Sequence, residues 1–564
     1  MHHEKIFIYQ LLPRLFGNKG GANKQHGTLE ENGCGKFNDL SNKILRKIKE
    51  SGYTHVWYIG VLAHASMTDY TAYGIPRQYP EIIKGKAGSP YAIRDYYDVD
   101  PDLATNIPKR MQEFENLVGR TQKVGLKVII DFVPNHVARN YQSISKPGNL
   151  VDLGEEDDKQ VAFSPQNNFY YLPGNALGIQ FNNYDPGKNA YREDPAKVTG
   201  NDCFTHQPTE YDWYETVKLN YGVDYQNGRT EYFDPIPDTW LKMKQILFFW
   251  AGKNIDGFRC DMAEMVPLAF WQWVIPQLKS AYPSILFLAE IYNPDAYRDF
   301  LRYNTFDYLY DKVGLYDVLR DVACRYRPSS DITFALHQVG DIQSQMLNFL
   351  ENHDEQRLAS NYFLKEGRNG KAAMIVICCI NRNPVMVYAG QEFGEKGMDE
   401  EGFSGKNGRT TIFDYWSMDT LRRWNNHGKW NDQLLTVEEK SLRDFYSLLI
   451  NLCNQETALS VGLFYDLMSA NYDNTEFDST RLFVFLRGYQ ESCLLVIANF
   501  DDHQQECTVH IPAGAFSFFN LESKVNGRLT PLLNKESNEI MFSEESPIRI
   551  KLDACMGEIY RISF

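Results

Sequence analysis

LKVIIDFVPNH, residues 126–136, decides how the chain is read. Leu126 to Val133 is a nearly continuous apolar run. Such runs suit a strand of a parallel sheet covered on both faces. The run contains Asp131 and gives way to Asn135 and His136. A helical pattern precedes it, IPKRMQEFENLVGRTQKVG (107–125), with Pro108 near its first turn. The same order recurs upstream. KIFIYQLL (5–12) reads as a strand. FNDLSNKILRKIKESG (37–52) reads as a helix, with Ile44, Leu45 and Ile48 on one face and Gly52 as its stop. THVWYIG (54–60) is a second strand.

Downstream, regularity breaks. Residues 137–235 are rich in Asn, Tyr, Pro and Gly, with an acidic patch at Glu155–Asp158. That is too long for an ordinary connection and predicts an inserted subdomain. The alternation then resumes. Helices are predicted at 239–253, 269–282 and 370–380, and strands at IDGFRCDM (255–262), ILFLAEIY (285–292), TFDYLYD (305–311), MLNFLENH (346–353) and PVMVYAG (384–390). Eight strands, most followed by a helix, predict a (β/α)8 barrel with a large insertion after strand three. The alternative is a doubly wound sheet, but no glycine-rich dinucleotide fingerprint follows the first strand. From about residue 460, RLFVFLRGY, CLLVIANF, ECTVHIP, PIRIKL and GEIYRISF predict an all-β domain. The expected division is barrel 1–136 and 236–455, insertion 137–235 and all-β domain 456–564.

Composition narrows the function. With 58 Lys+Arg against 73 Asp+Glu, the net charge of −15 argues against tracking a phosphate backbone. No apolar run is long enough for a membrane span. The start, MHHEKIFIYQLLPRLF, lacks the parts of a signal peptide, which favours the cytoplasm. A mature form with its leader removed would look the same. The ten cysteines are scattered without zinc-type spacing and read as buried reduced thiols. Aromatic residues are abundant, 34 Phe, 35 Tyr and 9 Trp. That count allows a site built from ring faces. Tyr9, Trp57, Phe132, Phe258, Phe287 and Phe349 fall in or beside predicted strands and read as packing.

The ends of the barrel strands are unusually polar. Strand three gives Asp131, Asn135 and His136, strand four Arg259 and Asp261, strand five Glu290, and strand seven His353 and Asp354. One strand-end Asp is more often a cap or turn former. Four clusters at corresponding ends converge on one rim, where this fold carries its active sites. Carboxylates in that setting suit retaining glycoside cleavage, which needs a nucleophile and a protonated acid about 5–5.5 Å apart. Asp261 shares a face with Arg259, whose charge would hold it ionised. Glu290 follows an apolar run that could raise its pKa for acid work. Asp354, His136 and His353 are left for bonds to sugar hydroxyls.

These residues resemble glycoside hydrolase family 13, the α-amylase family. DFVPNH, GFRCDM, the LAE of FLAEIY and ENHD match its four signatures in order. GSPYAIRDYYDVDPDLAT (88–105) resembles its strand-two loop and YAGQEFG (388–394) its final-strand segment. KLN (218–220) is similar to the fifth motif of the neopullulanase and cyclomaltodextrinase group. The resemblance implies Asp261 as nucleophile, Glu290 as acid/base and Asp354 as transition-state stabiliser. It implies Arg259, His136 and His353 as contacts to the reacting sugar, and Tyr91 as the residue stacking on it. It places a calcium ligand at Asn135, a β-sandwich at the C-terminus, and an α-glucan or malto-oligosaccharide as substrate, with no cofactor required for the chemistry. Glu264 and Met265 depart from the Lys-His pair common in the family, which puts acceptor-side binding in doubt. The dense tyrosines of the insertion, Tyr170, Tyr171, Tyr211 and Tyr214, are candidates for further subsites. A transglycosylase would carry the same residues. A non-catalytic member of the fold would typically lose the nucleophile or the acid.

Overall fold

The computed structural model describes residues 5–179, 190–521, 526–534, 539–543 and 547–563. Outside them lie Met1–Glu4 of the N-terminal stretch, residues 180–189 of the insertion and Phe564 of GEIYRISF. Eight parallel strands close into a barrel: β1 (Phe7–Leu11), β2 (His55–Tyr58), β3 (Lys127–Phe132), β4 (Gly257–Cys260), β5 (Leu286–Ala289), β6 (Tyr308–Tyr310), β7 (Met346–Phe349) and β8 (Val385–Tyr388). Each lies inside the run predicted for it. β1 pairs with both β2 and β8, which leaves no open edge.

The helices follow from their apolar spacing. Asn42–Glu50 buries Ile44, Leu45 and Ile48, and Arg110–Lys123 buries Phe114, Leu117, Val118 and Thr121. Lys371–Cys379 is buried on nearly every side because it lies between the barrel and the C-terminal sheet. The helix Val437–Gln455 had no counterpart in the sequence reading. Its signal is a capping box, Thr436 with Glu439, ahead of the apolar positions Leu442, Phe445, Tyr446 and Leu449.

The C-terminal β-sandwich is antiparallel. A six-stranded sheet runs Leu463–Asp466, Leu482–Tyr489, Ser492–Asn499, Gly557–Ser563, Gly527–Pro531 and Ile540–Phe542. Gln505–Val509 and Ile548–Leu552 form a second sheet. The insertion is held by two- and three-residue ladders. The one nearest the barrel pairs His136–Ala138 with Thr216–Lys218. In the connection after β2, Leu62–His64 pairs with Ile93–Val99. All ten cysteines are described and unpaired, seven of them buried. Among the described residues, no helix is long and apolar enough to cross a membrane.

Arg487 stitches the sandwich to the barrel. Its side chain is wholly buried and donates to three carbonyls: Cys379 at 2.6 Å, Gly462 at 2.6 Å and Leu463 at 3.2 Å. Arg487→Ala strands these acceptors away from water. It is expected to cost about 3 kcal/mol, from ~1–3 kcal/mol per unsatisfied group. Thermal unfolding measures this. An unchanged Tm would show that the junction contributes nothing.

Candidate active site

Register brings the first two charges together. Arg259 of β4 lies beside Asp131 of β3 in the parallel ladder, so both side chains point into the barrel mouth. Arg259 Nη1 bonds Asp131 Oδ1 at 3.2 Å and Asp261 Oδ1 at 2.7 Å. Its Nη2 reaches Glu290 Oε2, just beyond β5, at 2.6 Å. The guanidinium is wholly buried and within 5.2–5.6 Å of the rings of Trp57, Tyr91 and Tyr310. Trp57, read from sequence as packing, also donates its indole N–H to Asp131 Oδ2 at 3.1 Å.

A second group faces the first. The Tyr91 hydroxyl lies 2.6 Å from His353 Nε2, and the two rings stack at 5.2 Å. His353 Nε2 pairs with Asp354 Oδ2 at 3.0 Å, and its Nδ1 is held by Gln10 Nε2 at 3.0 Å. Glu290 has two donors besides Arg259: the Tyr292 hydroxyl at 2.6 Å and the Met262 N–H at 2.9 Å. Met262 takes a left-handed backbone, φ 43°, to present that N–H. Tyr91, His136, Asp261, Glu290 and Asp354 all line one cavity of about 310 Å³. Buried Arg259 and His353 contact these lining residues without lining the cavity themselves.

The electrostatics correct one expectation. Burial pushes the Asp261 carboxyl well above the usual range. Arg259 opposes this, but the charges of Glu290, Asp131 and Asp354 reinforce it. One guanidinium divided among three carboxylates offsets this rise only in part. Asp354 behaves differently. Against the desolvation that would raise it, His353, Arg259 and Arg409 bring it down to about 2. Burial and the charges of Lys218 and Lys84 lower His136 to about 3, so it is neutral at pH 7.

With this geometry in view, the comparisons with known proteins are specific. The family model described as Alpha amylase, catalytic domain, matches residues 10–439. The chain belongs to the α-amylase family. Its relatives include Maltase A1 of Drosophila melanogaster, 24% identical over 253 residues, 45% of this chain and 33% of that protein. Alpha-amylase MalA of Haloarcula japonica is 23% identical over 430 residues, 75% of this chain and 49% of that protein. The matches thus span half or less of these relatives' lengths. Among solved structures, the maltogenic alpha-amylase AmyB from Thermotoga neapolitana shares the fold over 100% of both chains, with TM-score 0.63 at 19% identity. The alpha-amylase from Geobacillus thermoleovorans, complexed with acarbose, gives 0.61 at 18%, covering 100% of this chain and 98% of that one.

The family resemblance implied calcium at Asn135, and the donors there do not fit it. The single acceptor oxygen of the Asn135 side chain is taken by Lys218 Nζ at 2.9 Å. Its amide nitrogen donates to the Gly200 carbonyl at 2.8 Å. The same ammonium pairs with Asp202 Oδ1 at 2.5 Å, and the Lys218 side chain is 1% exposed. Calcium takes about six to eight oxygen ligands. Here a protein cation already holds the oxygens. Asn135 Nδ2 also faces His136 Nδ1 at 3.2 Å, which leaves the ring proton on Nε2.

Of the insertion tyrosines, Tyr170 and Tyr171 are not subsites. They are buried and bond Val223 O and Asp157 Oδ2. Tyr214 and Tyr211 line a separate cavity of about 640 Å³. Glu264 does not reach toward a ligand. It accepts the backbone N–H groups of Tyr292 and Asn293, at 3.2 and 3.0 Å. The residues that sequence reasoning missed are Gln10, Lys84, Trp213, Glu215 and Tyr292, which come from four separate segments and carry no shared motif.

EDTA is expected to leave Tm and activity unchanged. Lys218→Ala should lower stability by roughly 2–3 kcal/mol, because buried acceptors lose their partner. A Tm that falls with EDTA and returns with calcium would show that an ion binds here after all.

Proposed function

We propose that this chain is a retaining α-glucan hydrolase of the α-amylase family. Asp261 attacks the anomeric carbon while Glu290 protonates the glycosidic oxygen. Glu290 then takes a proton from water, which releases an α-anomeric product. The observation that carries this reading is the bridging of Asp261 and Glu290, which both line the small cavity, by one buried guanidinium. Two carboxyls held on one cation suit the short separation of retaining enzymes. Asp354 and His353 can bond hydroxyls of the ring, and the face of Tyr91 can stack on it. The surplus of carboxylates favours a transition state in which positive charge develops on the sugar.

Glu290→Gln is expected to lower kcat on malto-oligosaccharides by roughly 10²–10⁴-fold, the scale of a lost general acid. Asp261→Asn should lose at least as much. Near-normal turnover in either variant would remove the assignment. Anomer-resolved products from maltotriose separate the chemistries. Glucose and maltose indicate hydrolysis, whereas longer oligomers indicate transfer.

The sign of the pH dependence follows from Asp261. It attacks only when ionised, and its carboxyl is pushed up. The kcat/KM of the intact enzyme should therefore fall with acid well above pH ~3.9, the ordinary Asp value. On an aryl α-glucoside with a good leaving group, Glu290→Gln should move this limb to lower pH. It loosens the Glu290 hold on Arg259 and frees the guanidinium toward Asp261. A limb that stays in place would belong to another group.

A further inference from the structure

One end of the catalytic cavity is built as a wall. Lys84, from the connection after β2, and Glu215, from the insertion, both line it. Their charges meet at 3.0 Å, with the side chains only 11% and 6% exposed. Lys84 Nζ also donates to the Asp212 carbonyl at 3.3 Å and lies 5.2 Å above the Tyr214 ring. The backbone behind the pair is closed as well. Ala87 N–H donates to Phe413 O at 3.0 Å. Gly85, at φ +67°, packs so tightly on that carbonyl that a Cβ would come within 2.2 Å of it. Buried Arg14 clamps both segments, donating to Ile412 O at 2.5 Å and Ala87 O at 3.3 Å. Lys84 also lines a second cavity, with Met67, Tyr211, Tyr214 and Phe403.

The lining around Asp354 and Glu290 is more open. Asp354 exposes 44% of its side chain, and Met262 and Tyr292 beside Glu290 are half-exposed. The ring bonded to Asp261 would therefore lie toward the closed end, beside Tyr91 and His136, and the leaving group would depart past Glu290. A chain cannot thread through a pocket with one closed end. Only a terminus fits, and the ammonium and carboxylate offer a donor and an acceptor to its hydroxyls.

We infer that the Lys84–Glu215 pair closes the cavity against internal glucan segments, so that the enzyme removes units from the non-reducing chain end. This rests on the hydrolase reading above. The KLN likeness to enzymes that accept cyclic glucans points the other way, so a cyclic substrate is part of the test.

The test uses the full chain and Lys84→Ala/Glu215→Ala, a double variant that leaves no buried charge unpaired. Each is given maltoheptaose labelled at its reducing end, cyclomaltoheptaose and p-nitrophenyl α-glucoside, with Tm as the check on folding. The wild type is expected to shorten labelled maltoheptaose one unit at a time and to leave the ring intact. The double variant should raise the ratio of internal to terminal cuts by at least about tenfold, within the range that pocket contacts discriminate. Early mixed-length products or ring opening by the wild type, alongside hydrolysis of the aryl glucoside, would overturn the inference and leave the hydrolase reading standing. So would a folded double variant with the same cut ratio. If the double variant does not fold, the wild-type product series and the intact ring decide alone. No hydrolysis of any substrate by the wild type would overturn the hydrolase reading and the inference with it.

Discussion

Arg259 is the constraint on which the rest of the barrel mouth depends. A fully buried cation is costly unless its charge is met, and here three carboxylates meet it. Each carboxylate comes from a different strand end. Strand register, and not loop flexibility, therefore sets their spacing. Slipping β4 against β3 by one residue would turn Arg259 away from Asp131 and put Phe258 or Cys260 in its place. The excess of negative charge around a single guanidinium is unfavourable in the empty site and is what a developing positive charge on a sugar would relieve.

The aromatic richness of the chain acquires a second meaning from the same residue. Trp57, Tyr91 and Tyr310 present ring faces to the guanidinium, and Tyr91 also stacks on His353. Rings exclude water from the charges, and the electron-rich faces offset part of the cost of burying a cation. A polar site with aromatic walls is thus both drier and more rigid than one lined by aliphatic side chains. Trp57 packs in the core as its sequence position predicts, and carries a second role that the position does not show. It sits in a strand, as packing residues do, yet its indole N–H is spent on Asp131.

The barrel was legible because its signals are local. Apolar runs of strand length ending in polar clusters mark both the strands and the rim, so Asp261, Glu290, His353 and Asp354 could be placed from their neighbours in sequence. Long-range pairings leave no such mark. Lys84 and Glu215 lie 131 positions apart in the sequence and meet only because the β2 connection and the insertion share a wall. The tyrosines of the insertion could not be sorted, because a segment without periodicity does not say which face is buried. Its backbone groups are met by Asn and Asp side chains, as Asn168 and Asp157 show, instead of by long ladders.

One three-residue ladder joins that irregular segment to the chemistry. His136 pairs with Lys218, and Ala138 with Thr216, while Val137 and Val217 face the other way into the core. The same strand therefore delivers Lys218 to Asn135, and Glu215, one residue before it, to Lys84. A calcium ion would tie barrel and insertion through oxygens alone and could be stripped away. Lys218 makes the same junction from within the chain, so the register of the ladder and the position of the cation are fixed together. Moving the strand by one residue would bring Val217 or Leu219 to the place of Lys218, and Tyr214 or Thr216 to that of Glu215. It would leave Asn135 unpaired and open the wall at Lys84, so the insertion cannot shift without the pocket registering it.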